Sequence, residues 1–475
     1  MLIASSAPSL RPIKMLSLND MPPEILEHIC SYLMIPNFHA RPWKHRLVRS
    51  SIPELVISEE YDQKRLLSFA RKNPILYLLL PTPPAVICGH LYAREQTLDA
   101  LRTTYYTTAE SHVRKCYIGM QNVLRRTDSP ANSPAVRYRV RKAAHLAGVT
   151  LPASLDADNI DSVVSNLVLA RHPNIRELGL RGEARDLDQV GDLKRSDDGP
   201  LLPSLKSVFV KPLDEFELEE HSGTLGSSHI TKLLNLGTKV TDIFIQNFWL
   251  RLTDDIASQH LTAITLRGVV SGANGIQKLL KNARGLRSFA YLAEIGDLFA
   301  SDVIAELEEH CPALETLCLK FAHYQSHLGF ASVGQRAPFS LRKFRHLRNI
   351  WIDNWSIINS IQEKPGPVTH PLNPQPHLWT SHWNEFFMSK LPESVERLHF
   401  HGCVYSCPNQ LLVGQILSLT GALQDLAADH KSGNYPKLQE VAVEGTDEVE
   451  LVRKALEDTG LRVLAKADKK PYLWF

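Results

Sequence analysis

The stretch 399-HFHGCVYSC-407 holds the densest group of side chains able to do chemistry, with two histidines and two cysteines. The four candidate ligands are His399, His401, Cys403 and Cys407. Imidazole and thiolate groups suit zinc, but this spacing matches no common zinc finger. Because the two histidines alternate as side chains on one face of a strand do, we expect a surface or structural role and no bound metal.

Motifs with a known catalytic mechanism are absent from the sequence. The chain contains no P-loop, dinucleotide-binding fingerprint, nucleophile elbow or zincin pattern. Two pairs of adjacent carboxylates, Asp254-Asp255 and Glu308-Glu309, have no neighbour that would poise one as an acid and the other as a base. We therefore expect no catalytic residues and no cofactor.

One short pattern recurs from about residue 160, in which apolar residues stand at the first, fourth and sixth positions. It occurs at 173–180, 203–210, 240–245, 261–266, 286–291, 312–319, 347–352, 395–400 and 435–443. The pattern resembles a degenerate leucine-rich repeat, which implies one short strand per unit and a single parallel sheet. Intervening runs with helical periodicity are predicted to be helices, at 275–283, 301–310, 381–391 and 447–460.

The predicted fold class is therefore α/β, a leucine-rich-repeat-like solenoid with a parallel sheet on its concave face and helices on its convex face. Ser301 resembles the cap of one of these helices. A doubly wound α/β domain is the alternative, although the sequence has no glycine-rich phosphate loop.

Strand residues that alternate with the apolar ones are predicted to face the concave surface. The position directly after each strand pattern runs from basic, as at Arg181 and Lys211, to acidic at Glu444. Aromatic residues flanked by charge are typical of binding hot spots. We expect a target protein to bind Arg267, Lys320, Trp351, Asp353, His399 and His401. The alternative is that loops such as the proline-rich 363–377 cover part of this surface.

Near the N-terminus, 16-LSLNDMPPEILEHICSYL-33 predicts an amphipathic helix. Asn19 or Asp20 can cap it, and Pro22 suits its first turn. The apolar residues fall at helical spacing on one face, at Ile25, Leu26, Ile29 and Leu33. A core-packing helix would show the same periodicity, so the order of the residues carries more information than their spacing.

That order closely resembles the opening of an F-box, of the kind common in fungal proteins. The resemblance implies a substrate-recognition subunit of a ubiquitin ligase, which binds a Skp-type adaptor and through it a cullin. The residues that would contact the adaptor are Leu18, Met21, Pro22, Ile25, Leu26, Ile29 and Leu33. The second helix of the module is either 45–49 or 63–74.

The domain organisation predicted is a disordered tail at 1–14, the F-box module at 15–80, a basic helical connecting segment at 81–150 and the repeats at 151–475. A net charge of +2 gives no general attraction to nucleic acid. Seven cysteines without framework spacing suggest reduced thiols in the cytoplasm or nucleus. The first fourteen residues have no apolar core long enough for a signal peptide, and no later run reaches the length of a membrane span, so no membrane partner is expected.

Two other functions fit the same sequence. The chain could be a non-catalytic repeat scaffold whose N-terminal helices only cap the solenoid, because repeat arrays need their first core layer covered. It could also be an enzyme built on an α/β sheet, which would require a cleft with convergent titratable groups.

Overall fold

An eleven-stranded parallel sheet is the centre of the computed structural model. The structure describes residues 115–120, 134–152, 163–212 apart from 164–165, 168, 171, 183, 189 and 196–198, then 223–293, 298–321, 339–353, 391–401, 411–444 and 449–466. The strands of the large sheet are β1 Lys115–Met120, β3 Glu177–Gly182, β5 Ser207–Lys211, β7 Asp242–Gln246, β9 Ala263–Arg267, β11 Ser288–Leu292, β12 Thr316–Lys320, β13 Asn349–Asp353, β14 Arg397–His401, β15 Glu440–Glu444 and β16 Arg462–Lys466.

The strands of this sheet follow one another in chain order, and each pairs in parallel with the next. A doubly wound domain reverses its strand order at a switch point, and the described sheet has no such reversal. Each of the nine predicted stretches contributes a strand, which confirms the expectation of a large parallel sheet.

Two strands of the sheet lie outside the predicted pattern. One is β16 at the C-terminal end of the sheet, and the other is β1, which pairs with β3 in register from Lys115 opposite Glu177. Because β1 falls within 81–150, the prediction of a purely helical connecting segment there is wrong for these residues. The sheet therefore begins with β1, ahead of residue 151, where the repeats were predicted to start.

Helices occupy several of the connections between strands. The described ones are α1 Pro134–Ala147, α2 Ala184–Leu187, α3 Ser227–Asn235, α4 Ala273–Leu280, α5 Ala300–His310, α6 Leu411–Lys431 and α7 Val449–Ala455. The predicted helices at 275–283, 301–310 and 447–460 overlap α4, α5 and α7. Of the predicted helix at 381–391, residues 381–390 lie outside the described residues. In α5 the N-cap is Phe299 rather than Ser301, and the Phe299 amide donates to Asp302 Oδ2 at 3.0 Å.

One face of the sheet packs against these helices and forms the main core. In β9, Ile264 and Leu266 point into this core and are fully buried, and Leu279 of α4 belongs to the same cluster. We call this side the core face, and the side bearing Ala263, Thr265 and Arg267 the opposite face. The alternation arises because successive strand residues point to opposite sides.

A second regular feature ties each unit to the one before it. At the start of the large-sheet strands from β5 to β15, two successive amides donate to one carbonyl of the preceding unit: Arg287 and Ser288 donate to Thr262, both at 2.9 Å. The same paired bonds join Thr316 and Glu315 to Arg287, and Asn349 and Arg348 to Glu315. These bonds form a continuous row along the strand starts, and they fix the register independently of the connecting segments.

A smaller parallel sheet follows three of the large strands. It consists of β6 Thr224–Gly226, β8 Trp249–Arg251 and β10 Val270–Ser271. Asn247 and Gly268 stand at equivalent turns into this sheet, with φ of 54° and 58°. Glycine adopts this left-handed backbone without steric cost, and asparagine tolerates it better than most residues. A separate antiparallel pair joins β2 Val149–Thr150 and β4 Lys194–Arg195.

The N-terminal predictions fall on residues that the structure does not describe. These include the tail at 1–14 and the F-box segment at 15–80. Within the described ranges, none of the helices combines the length and apolar character needed to cross a bilayer.

Candidate binding face

Strands β12, β13 and β14 bring five of the six predicted target-binding residues onto neighbouring strands. Trp351 stands in register between Cys318 and His399, and Asp353 stands opposite His401. Lys320 ends β12, one strand away from Asp353. Arg267 ends β9 and is separated from Lys320 by β11, so these two cations lie about 10 Å apart across the strands.

Trp351 is the largest side chain of this group, and it is half-buried. It packs against a small apolar cluster of Ala290, Leu292 and Cys318, which is separate from the main core. Its indole lies 6.1 Å from the His399 imidazole between ring centroids, with the planes tilted by 49°. This arrangement supports one side of the indole and leaves part of it accessible to a partner.

Asp353 is fully buried, which corrects the expectation that it is displayed on the surface. Its carboxylate accepts a hydrogen bond from the Phe321 amide, a contact between the ends of β12 and β13. A buried carboxylate requires such donors, because desolvating a charge without compensation is costly. Asp353 therefore joins the ends of β12 and β13 through a buried hydrogen bond.

His399 is half-buried and its side chain takes part in the contact with Trp351. For His401 the backbone is described, at the register position opposite Asp353. Cys403 and Cys407, the other two residues of the possible zinc cluster, lie outside the described residues. Among the described side chains, no three of His, Cys, Asp or Glu are grouped so as to hold a metal ion.

The thiol on this face is held in its neutral form. Burial raises the pKa of Cys318 well above its usual range, Asp353 adds to the increase and Lys320 opposes it. Nucleophilic cysteines have a lowered pKa and are partly exposed. Cys318 therefore acts as a small apolar residue beneath Trp351.

The adjacent carboxylate pairs are engaged in contacts with neighbouring segments. Asp255 lies 2.6 Å from Lys281 Nζ, and Glu308 lies 2.8 Å from Lys343 Nζ. Asp254 Oδ2 accepts from the Thr253 hydroxyl at 2.8 Å. These contacts join turns and helix ends at the surface, where ion pairs contribute at most about 1 kcal/mol.

A second aromatic group lies on the opposite face, on strands β5 and β7. The Phe209 and Phe244 rings stack with centroids 4.1 Å apart and planes 11° from parallel, and both side chains are half-buried. Beside them Gln246 and Thr265 are 6% and 1% exposed. Gln246 Oε1 and Thr265 Oγ1 are buried atoms without a hydrogen-bond partner in the described part of the chain.

The opposite face also has a satisfied polar group, at the strand starts. The Asp242 carboxylate accepts from the Ser207 hydroxyl at 2.9 Å and the Thr241 hydroxyl at 3.1 Å. The Thr262 hydroxyl lies 3.4 Å from its other oxygen. These bonds tie β5, β7 and β9 together along one edge.

The sequence pattern placed Phe209, Phe244, Gln246 and Thr265 on this face but gave no reason to single them out as a group. The register of the strands brings them together, because Phe209 stands opposite Phe244, and Phe244 stands opposite Thr265. The adaptor-binding residues predicted from the F-box resemblance all precede the described ranges. They are Leu18, Met21, Pro22, Ile25, Leu26, Ile29 and Leu33.

In comparisons with known proteins, no family model matches the chain, and no curated protein shows significant similarity to its sequence.

Proposed function

We propose that this protein is a substrate-recognition adaptor of a Skp-cullin-F-box ubiquitin ligase. Its N-terminal F-box binds a Skp-type adaptor, and its leucine-rich-repeat-like solenoid binds a target protein. The protein brings the two together and catalyses no reaction itself. The observation that carries the proposal is the residue order of 16–33, with Met21-Pro22-Pro23-Glu24-Ile25-Leu26 followed by Ile29 and Leu33.

Features of the sheet support the repeat part of the proposal. The strands follow chain order, and the paired amide bonds recur from unit to unit. An array of this kind buries one face of each strand under helices, and the other face offers a long surface to a partner. On that surface Trp351 is half-buried beside His399, as a binding hot spot requires.

A non-catalytic scaffold is the alternative, in which the helix at 21–33 covers the first layer of the array. The described sheet already opens with β1, at Lys115–Met120. A capping helix would therefore pack its apolar side against that end of the sheet, and this side would be inaccessible to an adaptor. The two functions thus differ in whether Ile25, Leu26 and Ile29 are available for binding.

The test is co-purification with the Skp-type adaptor. A double substitution, Pro22→Ala with Leu26→Asp, places a charge in an apolar contact and costs several kcal/mol if that contact is desolvated. We expect the adaptor to be lost from the purified complex, while circular dichroism and the melting temperature of the variant stay unchanged.

The matched control is His28→Asp, which introduces the same carboxylate on the polar side of the same predicted helix. It should retain the adaptor. A wild-type protein that never retains the adaptor contradicts the proposal. Loss of the fold in the double variant, with no adaptor bound by the wild type, favours the capping helix of the scaffold.

A further inference from the structure

We draw no further inference here: the strongest candidate, the outer face of the small parallel sheet, where Arg251 Cζ lies 5.7 Å from the centroid of the exposed Trp249 ring, carries no proposal because nothing in the part of the chain that the structure describes shows what covers it.

Discussion

The two faces of the large sheet follow different rules, as adjacent residues of β13 show. Ile350 and Ile352 are buried in the main core, whereas Trp351 between them belongs to a separate small cluster and is half-buried. The core face carries buried apolar residues from strand to strand, which are aliphatic in most strands and aromatic at Phe289, Tyr291 and Phe400. The opposite face varies from a stacked phenylalanine pair through alanine and cysteine to tryptophan and histidine. We expect stability to restrict the first set more strongly than the second.

The largest effect should come from the core face. Replacing Ile350 with Ala removes buried carbon atoms from the main core and should reduce the free energy of unfolding by about 2–5 kcal/mol. Denaturant titration of the purified protein measures this loss. Ile350→Val is the matched control and should cost about 1 kcal/mol. A loss no larger for Ala than for Val would mean that the two faces do not differ in their tolerance of substitution.

An intermediate effect is expected one residue further along. Trp351→Ala should weaken target binding by about 2 kcal/mol, as loss of an aromatic hot spot does. Its cost in stability should be smaller than that of Ile350→Ala, about 1 kcal/mol, because the indole is only half-buried. Isothermal titration with the target and parallel denaturant titration separate the two quantities.

The Trp351→Phe variant preserves an aromatic ring and should recover part of the affinity. If Trp351→Ala instead unfolds the protein readily and binds the target unchanged, Trp351 is a core residue. The distinction between the faces would then fail at β13.

The smallest effect concerns the helix layer that covers the core face. Burial raises the pKa of Glu306 on α5, and the nearby His310, at 3.5 Å, opposes the increase. The folded state therefore binds the proton more tightly than the unfolded state. The contribution of Glu306 to the free energy of unfolding is present below a pH of about 4.5. It is lost as the pH rises through the pKa that Glu306 has in the folded state.

Glu306→Gln should abolish this part of the pH dependence and leave the variant equal to or slightly more stable than the wild type near pH 7, by ~0.5 kcal/mol or less. Thermal melts from pH 4 to pH 7 measure it, with Glu309→Gln at the exposed neighbour as the control. Wild-type stability that rises relative to the variant over this range would mean that folding lowers the pKa of Glu306 instead of raising it.

The sequence predicted the sheet better than it predicted the binding face. Each strand pattern places its apolar residues on one side, which suffices to find β9 or β13 without knowledge of its neighbours. The strand β1, 115-KCYIGM-120, was missed because its local charge resembled a solvated helix. Burial of Asp353 was missed because it depends on Phe321, which is distant in sequence. The adaptor residues of the N-terminal segment remain a prediction.

The row of paired amide bonds has a consequence for how such chains diversify. From Asp242 to Ala263 the unit length is 21 residues, whereas from Asn349 to Arg397 it is 48, yet the register is maintained across both steps. Since lengthening a surface connection costs little free energy, evolution can insert, delete or exchange whole segments between strands. Two descendants of one ancestor could then keep the same sheet and share almost no alignable sequence.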